Sequence, residues 1–151
     1  MRVVISSVLL KQITDHAARS RDEVCGLLLG RPGTIEAVVP TANVAADRAR
    51  SFEIDPAALL AAHRGARRGG AAIVGCYHSH PGGDATPSLR DATDAAADGA
   101  IWLIVAGPAV RGWRAVASGA VRERFDPVEL VALAPPTRLG QKGVALPRGC
   151  P

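Results

Sequence analysis

Short apolar runs of strand length alternate with segments of helical period along the chain. The runs predicted to be strands are residues 3–5, 25–29, 35–39, 52–54, 71–80, 100–105, 112–117 and 120–125. The first run is short, and we expect it at a sheet edge. Helices are predicted from Ser6 or Ser7 to about residue 19, from Asp55 to about residue 68, and from Ser88 onward. The third helix is expected to carry three acids on one side: Asp91, Asp94 and Asp98. Helices between groups of strands predict an α/β or α+β class with a mixed sheet.

Length and composition fit a single domain followed by a tail. The chain has 151 residues, of which 48% are hydrophobic and 21% charged, and these values are typical of one folded domain. From residue 134 onward Pro, Gly and basic residues dominate. We therefore divide the chain into a domain over 1–133 and a C-terminal tail over 134–151.

Charge and cysteine content argue against several functional classes. The formal net charge is only +4 and aromatic residues make up 3% of the chain, so we expect no nucleic-acid partner. No apolar run reaches the roughly 20 residues of a membrane helix, and the first residues lack a signal-peptide pattern, so no membrane association is expected. Three widely spaced cysteines imply no disulfide framework, and we expect a cytoplasmic location.

Candidate chemistry concentrates at the end of the strand predicted over 71–80. His78 and His80 are two residues apart, so both imidazoles point to one face of that strand. Asp91 follows in the first turn of the next helix, which can lie beside the strand end. Two imidazoles and one carboxylate suit catalytic Zn²⁺, which keeps a water at its fourth position. Hydrolysis also needs a base, for which Glu23 is the best candidate, and an oxyanion stabiliser, for which Ser88 is placed.

Each of these residues also has an interpretation without catalysis. A His-x-His pair can be a surface pair, Ser88 with Asp91 fits a helix capping pair, and Glu23 alone is an ordinary loop acid. Cys76 shares the strand face of both histidines and could form a Cys-His-His site, although a small buried residue is the favoured interpretation. A Cys25 nucleophile with a histidine base is a further alternative. The other two histidines fall on predicted helices and are expected at the surface: His16 and His63.

The ordered combination of these segments resembles the JAMM (MPN+) metalloprotease motif. The matching segments are residues 23–30 (EVCGLLLG), 78–81 (HSHP) and 87–91 (PSLRD). The family pattern has a Glu before a Gly-Leu strand, then His-x-His-Pro, then seven residues between the second His and a Ser, and an Asp three residues after that Ser; residues 81–87 meet this spacing. The resemblance extends from Met1 to about Phe125. It implies a single MPN-like (cytidine-deaminase-like) domain with a mixed, largely antiparallel sheet flanked by helices.

The resemblance also implies a role for each motif residue. His78, His80 and Asp91 would bind one Zn²⁺ per chain, Glu23 would be the general acid/base, and Ser88 would help to stabilise the tetrahedral intermediate. Members with this motif cleave peptide or isopeptide bonds, often after the C-terminal Gly-Gly of ubiquitin or a ubiquitin-like protein. Some prokaryotic stand-alone members, which are similar to this chain in length, act on small sulfur-carrier proteins.

The function expected from the sequence is therefore that of a zinc-dependent peptidase or isopeptidase. Its substrate would be a ubiquitin-like or sulfur-carrier protein, or a peptide. Asn43 is a weaker implied residue that would support the site or the substrate backbone. The alternative is a non-catalytic MPN-type binding or scaffold module, which the presence of every motif residue disfavours. Hydrophobic helices and an uncommitted tail are compatible with a homodimer.

Overall fold

Seven strands and three helices make up residues 1–135, the part of the chain that the computed structural model describes. In chain order they are β1 (Arg2–Ser6), α1 (Ser7–Ala18), β2 (Cys25–Arg31), β3 (Thr34–Thr41), α2 (Pro56–Arg67), β4 (Ala72–Ser79), α3 (Leu89–Asp94), β5 (Ile101–Ala106), β6 (Ala109–Ala115) and β7 (Phe125–Leu133). Nearly all of the predicted tail over 134–151 lies outside the described residues, so the division into a domain and a tail stays a prediction.

The strands form one closed sheet in the order β1-β3-β2-β4-β5-β6-β7, and β7 pairs again with β1. The pairs β2–β3, β2–β4, β5–β6 and β6–β7 are antiparallel. The pairs β1–β3, β1–β7 and β4–β5 are parallel. A mixed sheet with helices around it confirms the predicted α+β class. The closure of the sheet into a barrel is not part of that prediction.

Three predicted strands need correction. The run at 3–5 is not an edge strand, because β1 is paired with β3 on one side and with β7 on the other. Residues 120–124 form a turn, and the strand that follows runs from Phe125 to Leu133 instead. Pro127 lies inside that strand and conceals it, since proline inside a run argues against a strand. The run at 52–54 contributes only an isolated bridge between Asn43 and Ile54.

Capping side chains begin the helices close to the predicted positions. The Ser6 hydroxyl accepts a hydrogen bond from the Leu9 amide at 3.2 Å, and an Asp55 carboxylate oxygen accepts one from an amide in the first turn of α2 at 3.0 Å. The third helix is shorter than predicted, because the backbone becomes extended after Asp94. Asp98 therefore lies beyond the helix, and the predicted row of three acids is wrong in its last member.

Strand β4 separates two apolar clusters and so positions the site. Tyr77 belongs to a cluster with residues of β1, α1, β2 and β5, and its neighbour His78 points to the opposite face. The second cluster includes Trp102, Trp113 and Phe125. His16 is half-buried and not at the surface as predicted, since its Nδ1 lies 2.7 Å from the Tyr77 hydroxyl. Within residues 1–135, no helix is long and apolar enough to cross a membrane.

Candidate metal and active site

The carboxyl end of β4 is joined to the residue after Glu23 by two hydrogen bonds. The Ser79 amide donates to the Val24 carbonyl at 3.0 Å, and the Val24 amide donates to the Ser79 hydroxyl at 2.9 Å. The neighbouring pair in the register is Cys25 with His78. Because side chains alternate along strands, this register puts Glu23 on the same face as the two histidines.

Three ligand atoms converge at this end of β4. His78 Nε2 lies 2.9 Å from His80 Nε2 and 3.1 Å from Asp91 Oδ1, and His80 Nε2 lies 3.2 Å from Asp91 Oδ2. Zinc bonds of 2.0 to 2.2 Å in a tetrahedron place ligand atoms roughly 3.3 to 3.6 Å apart, which is a few tenths of an ångström more than the distances here. The donor set and its spacing therefore fit a zinc ion, and among residues 1–135 this is the one group of three such side chains.

Local contacts prepare these side chains as ligands. The His80 Nδ1 lies 2.8 Å from the Asp84 carbonyl oxygen. A carbonyl can only accept, so Nδ1 carries the proton and the Nε2 lone pair faces the cluster. Burial opposes ionisation of Asp91, but its side-chain contacts with His78 and His80 outweigh burial and hold the pKa of this carboxyl well below its usual range. Burial also lowers the pKa of His78, which favours the neutral imidazole that binds metals.

Ser88 fixes the third ligand through a reciprocal capping box. The Ser88 hydroxyl accepts from the Asp91 amide at 3.0 Å, and the Ser88 amide donates to Asp91 Oδ2 at 2.7 Å. The capping interpretation of this pair is thus present in the structure. The bond uses the hydroxyl oxygen as an acceptor and leaves its hydrogen for another acceptor, so capping and catalysis are compatible.

Glu23 is buried next to the ligand cluster. Glu23 is only 8% exposed, and its backbone amide donates a hydrogen bond to the Arg48 carbonyl at 2.8 Å. Burial raises the pKa of Glu23 to about 7; His80 acts in the opposite direction, and Asp91 adds to the rise. A carboxyl that titrates near neutral pH can take and return a proton, which is what a general acid/base requires.

Comparison with known proteins assigns the chain to a family. The family of prokaryotic homologs of the JAB domain matches residues 6–118, which include all of the convergent residues. The chain belongs to this family. The assignment confirms the resemblance to the JAMM/MPN group that the motif implies.

Curated relatives of this JAB-domain protein include two with named activities. The desampylase of Haloferax volcanii is 38% identical over 84 residues, which cover 54% of this chain and 60% of that protein. The probable TtuB-protein conjugate cleaving protease of Thermus thermophilus is 39% identical over 88 residues, which cover 58% of this chain and 59% of that protein. The matched part thus spans about three fifths of each relative.

Solved structures share the fold of this JAB-domain protein. A protein from Desulfitobacterium hafniense superposes with a TM-score of 0.74 at 22% identity and covers 88% of this chain and 94% of its own. A JAB1/MPN domain protein from Archaeoglobus fulgidus gives a TM-score of 0.50 at 21% identity and covers 86% of this chain and 98% of its own. At these identities the likeness shows the fold alone, and it agrees with the MPN-like class predicted.

Asn43 joins the loop before α2 to the backbone of Glu23. Its Nδ2 donates to the Glu23 carbonyl at 2.8 Å and to the Ser51 carbonyl at 3.0 Å. Its Oδ1 accepts from the amides of Ala45 and Glu53, both at 3.0 Å. These contacts favour a supporting role for this side chain in the JAB domain, and contact with a substrate stays a prediction.

The cysteines of the JAB domain lie outside the ligand group. Cys25 is buried, its Sγ contacts Thr41 Oγ1 at 3.5 Å, and burial raises the pKa of its thiol. A thiol held in its neutral form is a poor nucleophile. Cys76 is partly buried against the second apolar cluster, and burial raises the pKa of its thiol as well. These surroundings favour the interpretation of Cys76 as a small apolar residue.

Several residues that support the site in this JAB-domain protein are missing from the sequence-based prediction. The Phe52 ring stacks on the His78 ring, with 4.3 Å between centroids. The Trp113 indole donates to the Ala85 carbonyl at 2.9 Å, and the Arg122 guanidinium donates to the Pro87 carbonyl at 3.3 Å. The last two bonds hold the segment between His80 and Ser88. No local sequence pattern identifies these residues, because each contacts a residue more than 25 positions away along the chain.

Proposed function

We propose that this chain is a zinc-dependent isopeptidase or peptidase that cleaves conjugates of a ubiquitin-like or sulfur-carrier protein. The observation that carries the proposal is the convergence of His78, His80 and Asp91 beside the buried carboxyl of Glu23. The names of the relatives from Haloferax volcanii and Thermus thermophilus, a desampylase and a conjugate cleaving protease, support the substrate class.

The zinc ion would be held by His78 Nε2, His80 Nε2 and one oxygen of Asp91. When bound there, the ion supplies a Lewis acid that activates water and polarises the scissile carbonyl. The contacts of His78 and His80 with Asp91, at 3.1 and 3.2 Å, already bring the three side chains together. Little rearrangement is therefore needed for them to act as ligands.

Glu23 and Ser88 would carry out the proton transfer and charge stabilisation. The Glu23 carboxylate takes a proton from the attacking water and returns it to the leaving amine, and a pKa near 7 suits both directions. The Ser88 hydroxyl donates its hydrogen to the oxyanion that develops on the scissile carbonyl, while its oxygen keeps the capping bond. Either a peptide or an isopeptide bond meets these requirements.

A cleft beside the metal site offers a path for an extended chain. It has a volume of about 480 Å³ and is lined by residues of two elements: Ala45, Ala46, Asp47, Ser51, Phe52 and Glu53 from the loop before α2, and Arg90 and Asp94 from α3. Phe52 lies in both the cleft and the metal site. A Gly-Gly segment carries no side chains and can lie extended against such a loop, which supports a substrate of this type.

A cleavage assay with the Glu23→Gln variant tests the proposal. The substrate is a ubiquitin-like protein joined through its C-terminal Gly-Gly to a reporter, and the zinc-loaded full chain is the enzyme. We expect Glu23→Gln to retain zinc and to lose turnover by about 10²- to 10⁴-fold, because the base of the proton transfer is gone.

Asp22→Asn is the matched control, since Asp22 is the neighbouring acid and, within residues 1–135, its only ion pair is a long contact of 4.0 Å with Arg48. It should cleave at the wild-type rate. Full activity in Glu23→Gln would remove Glu23 from the mechanism. Binding of the fusion without cleavage by the zinc-loaded wild type would instead support the scaffold alternative.

A further inference from the structure

The His78 imidazole lacks the hydrogen bond that normally orients a metal-binding histidine. Such a histidine usually donates a hydrogen bond from its second ring nitrogen to a carboxylate, a carbonyl or water. His80 follows this rule through the Asp84 carbonyl at 2.8 Å. His78 is fully buried, and its Nδ1 contacts no hydrogen-bond partner among residues 1–135. Another interaction must therefore set the rotation of this ring.

Two aromatic rings, those of Phe52 and Trp102, pack against the His78 imidazole. The Phe52 ring lies almost parallel to the imidazole, with centroids 4.3 Å apart and an angle of 18° between planes. The Trp102 ring meets the imidazole edge-on at 5.8 Å and 89°. Phe52 and Trp102 also pack edge to face, at 5.6 Å and 72°. We call these two side chains the aromatic clamp.

The backbone of Phe52 is held on both sides by one side chain. Asn43 Nδ2 donates to the carbonyl of Ser51, the residue before Phe52, and Asn43 Oδ1 accepts from the amide of Glu53, the residue after it. The same Nδ2 donates to the Glu23 carbonyl. The Asn43 amide thus fixes the loop that presents the Phe52 ring and ties it to the strand that carries Glu23.

We propose that Phe52 is a positioning residue for the metal site, and that its ring face orients the His78 imidazole in place of a hydrogen bond from Nδ1. The inference rests on the proposed zinc site. Phe52 acts through His78 and takes no part in the proton transfer. Its other surface lines the cleft beside the site.

Zinc affinity of Phe52 variants tests this role. Phe52→Leu keeps an apolar side chain but removes the flat face, whereas Phe52→Tyr keeps the ring. Competition with a chromophoric chelator measures the zinc affinity of the full chain, and the visible absorption of the Co²⁺-loaded protein reports ligand geometry. We expect Phe52→Leu to weaken zinc binding by about 10- to 100-fold, as loss of an orienting partner does elsewhere, and to alter the Co²⁺ spectrum. Phe52→Tyr should restore both to wild type.

Matched variants separate this inference from the proposed function. Glu53→Gln alters the exposed neighbour of Phe52 and should leave zinc affinity unchanged, and Asp91→Ala should abolish it. Phe52→Met provides an apolar side chain without a ring should the Leu variant fail to fold, and it should weaken zinc binding similarly.

Three outcomes would overturn the role of Phe52. Wild-type zinc affinity in Phe52→Leu, together with a loss in Asp91→Ala, would discard the clamp and retain the metal site. Equal losses in the Leu and Tyr variants would show general disruption of the loop. Absence of zinc binding in the wild type would refute the proposed function and this inference together.

Discussion

Burial of Glu23 distinguishes a candidate base from an ordinary loop acid at the scale of single residues. The sequence shows only an acid in front of an apolar strand. The structure adds the Arg48 carbonyl on its amide and the Asn43 amide on its carbonyl, which hold the residue where it is 8% exposed. These contacts come from positions 20 and 25 residues further along, so no local pattern could predict the altered pKa.

The raised pKa of Glu23 makes the stability of the metal-free protein depend on pH. Burial raises this pKa from 4.5 to about 7, so the folded chain binds the proton more tightly than the unfolded chain does. The resulting stability is fully present below pH 4.5 and is lost as the pH rises through 7. The Gln side chain does not ionise, so the Glu23→Gln variant does not lose stability in this way. As the pH rises from 4 to 8, its unfolding free energy should therefore increase by about 3 kcal/mol relative to that of wild type.

Urea unfolding of the chelator-treated proteins at several pH values measures this difference. Glu53→Gln, which changes an exposed acid of the nearby loop, is the control. A difference between Glu23→Gln and wild type that stays constant across this pH range would contradict the burial of an ionisable carboxyl at this position.

Two variants of Ser88 separate its role as a helix cap from its proposed role in catalysis. Ser88→Ala should destabilise the protein by about 1 kcal/mol because α3 loses its cap. Ser88→Gly should destabilise it by only about a few tenths of a kcal/mol. Both variants lack the hydroxyl, so both should lose about 10²-fold in turnover if its hydrogen stabilises the oxyanion. Turnover that follows stability, with the Gly variant nearly as active as wild type, would leave Ser88 as a cap only.

Close approach of β4 and β5 matters most at the scale of secondary-structure elements. A Cβ atom at Gly75 would lie 1.7 Å from the Ile101 carbonyl oxygen. The Ile101 carbonyl is part of the backbone and cannot move aside as a flexible side chain can. The resulting clash should make Gly75→Ala less stable than wild type by about 3 kcal/mol or more. His78 lies three residues further along β4, so the register of this pair also places the candidate metal site.

Gly65→Ala is the matched control for this prediction. Gly65 lies inside α2, where an added Cβ meets nothing within 4 Å. Alanine favours helix more than glycine does, so this variant should be more stable than wild type by about 0.5 to 1 kcal/mol. Urea unfolding checks both variants, and a Gly75→Ala protein as stable as wild type would refute the close packing of β4 on β5.

Local signals account for much of the fold and for the ligands of the site. Pro32 and Gly33, between the runs at 25–29 and 35–39, are typical of a turn, and the structure joins β2 and β3 there as an antiparallel hairpin. The motif spacing predicts that His78, His80 and Asp91 meet. Predictions that depend on distant partners fail. The position of β1 depends on β7, more than 120 residues away, and the Phe52 ring that stacks on His78 is 26 positions from it. Hydrophobic period describes an element, but it does not identify the partners of that element.

Closure of the barrel brings the parts of the site together at the scale of the whole molecule. The pairing of β7 with β1 removes both sheet edges. Trp113 of β6 and Arg122 of the turn before β7 then hold the segment that leads to α3. The candidate metal ligands of β4 and α3 thus depend on strands from the far end of the described chain.

Zinc content of the purified chain tests the central claim most directly. Wild type should contain about one zinc per chain and Asp91→Ala none, since Asp91 supplies the carboxylate ligand. Asp94→Ala is the control, because this residue lies on the same helix, is exposed and pairs with Arg90 at 2.7 Å; it should retain the full zinc content. A wild-type chain without zinc after reconstitution, or an Asp91→Ala chain with as much zinc as wild type, would contradict the account.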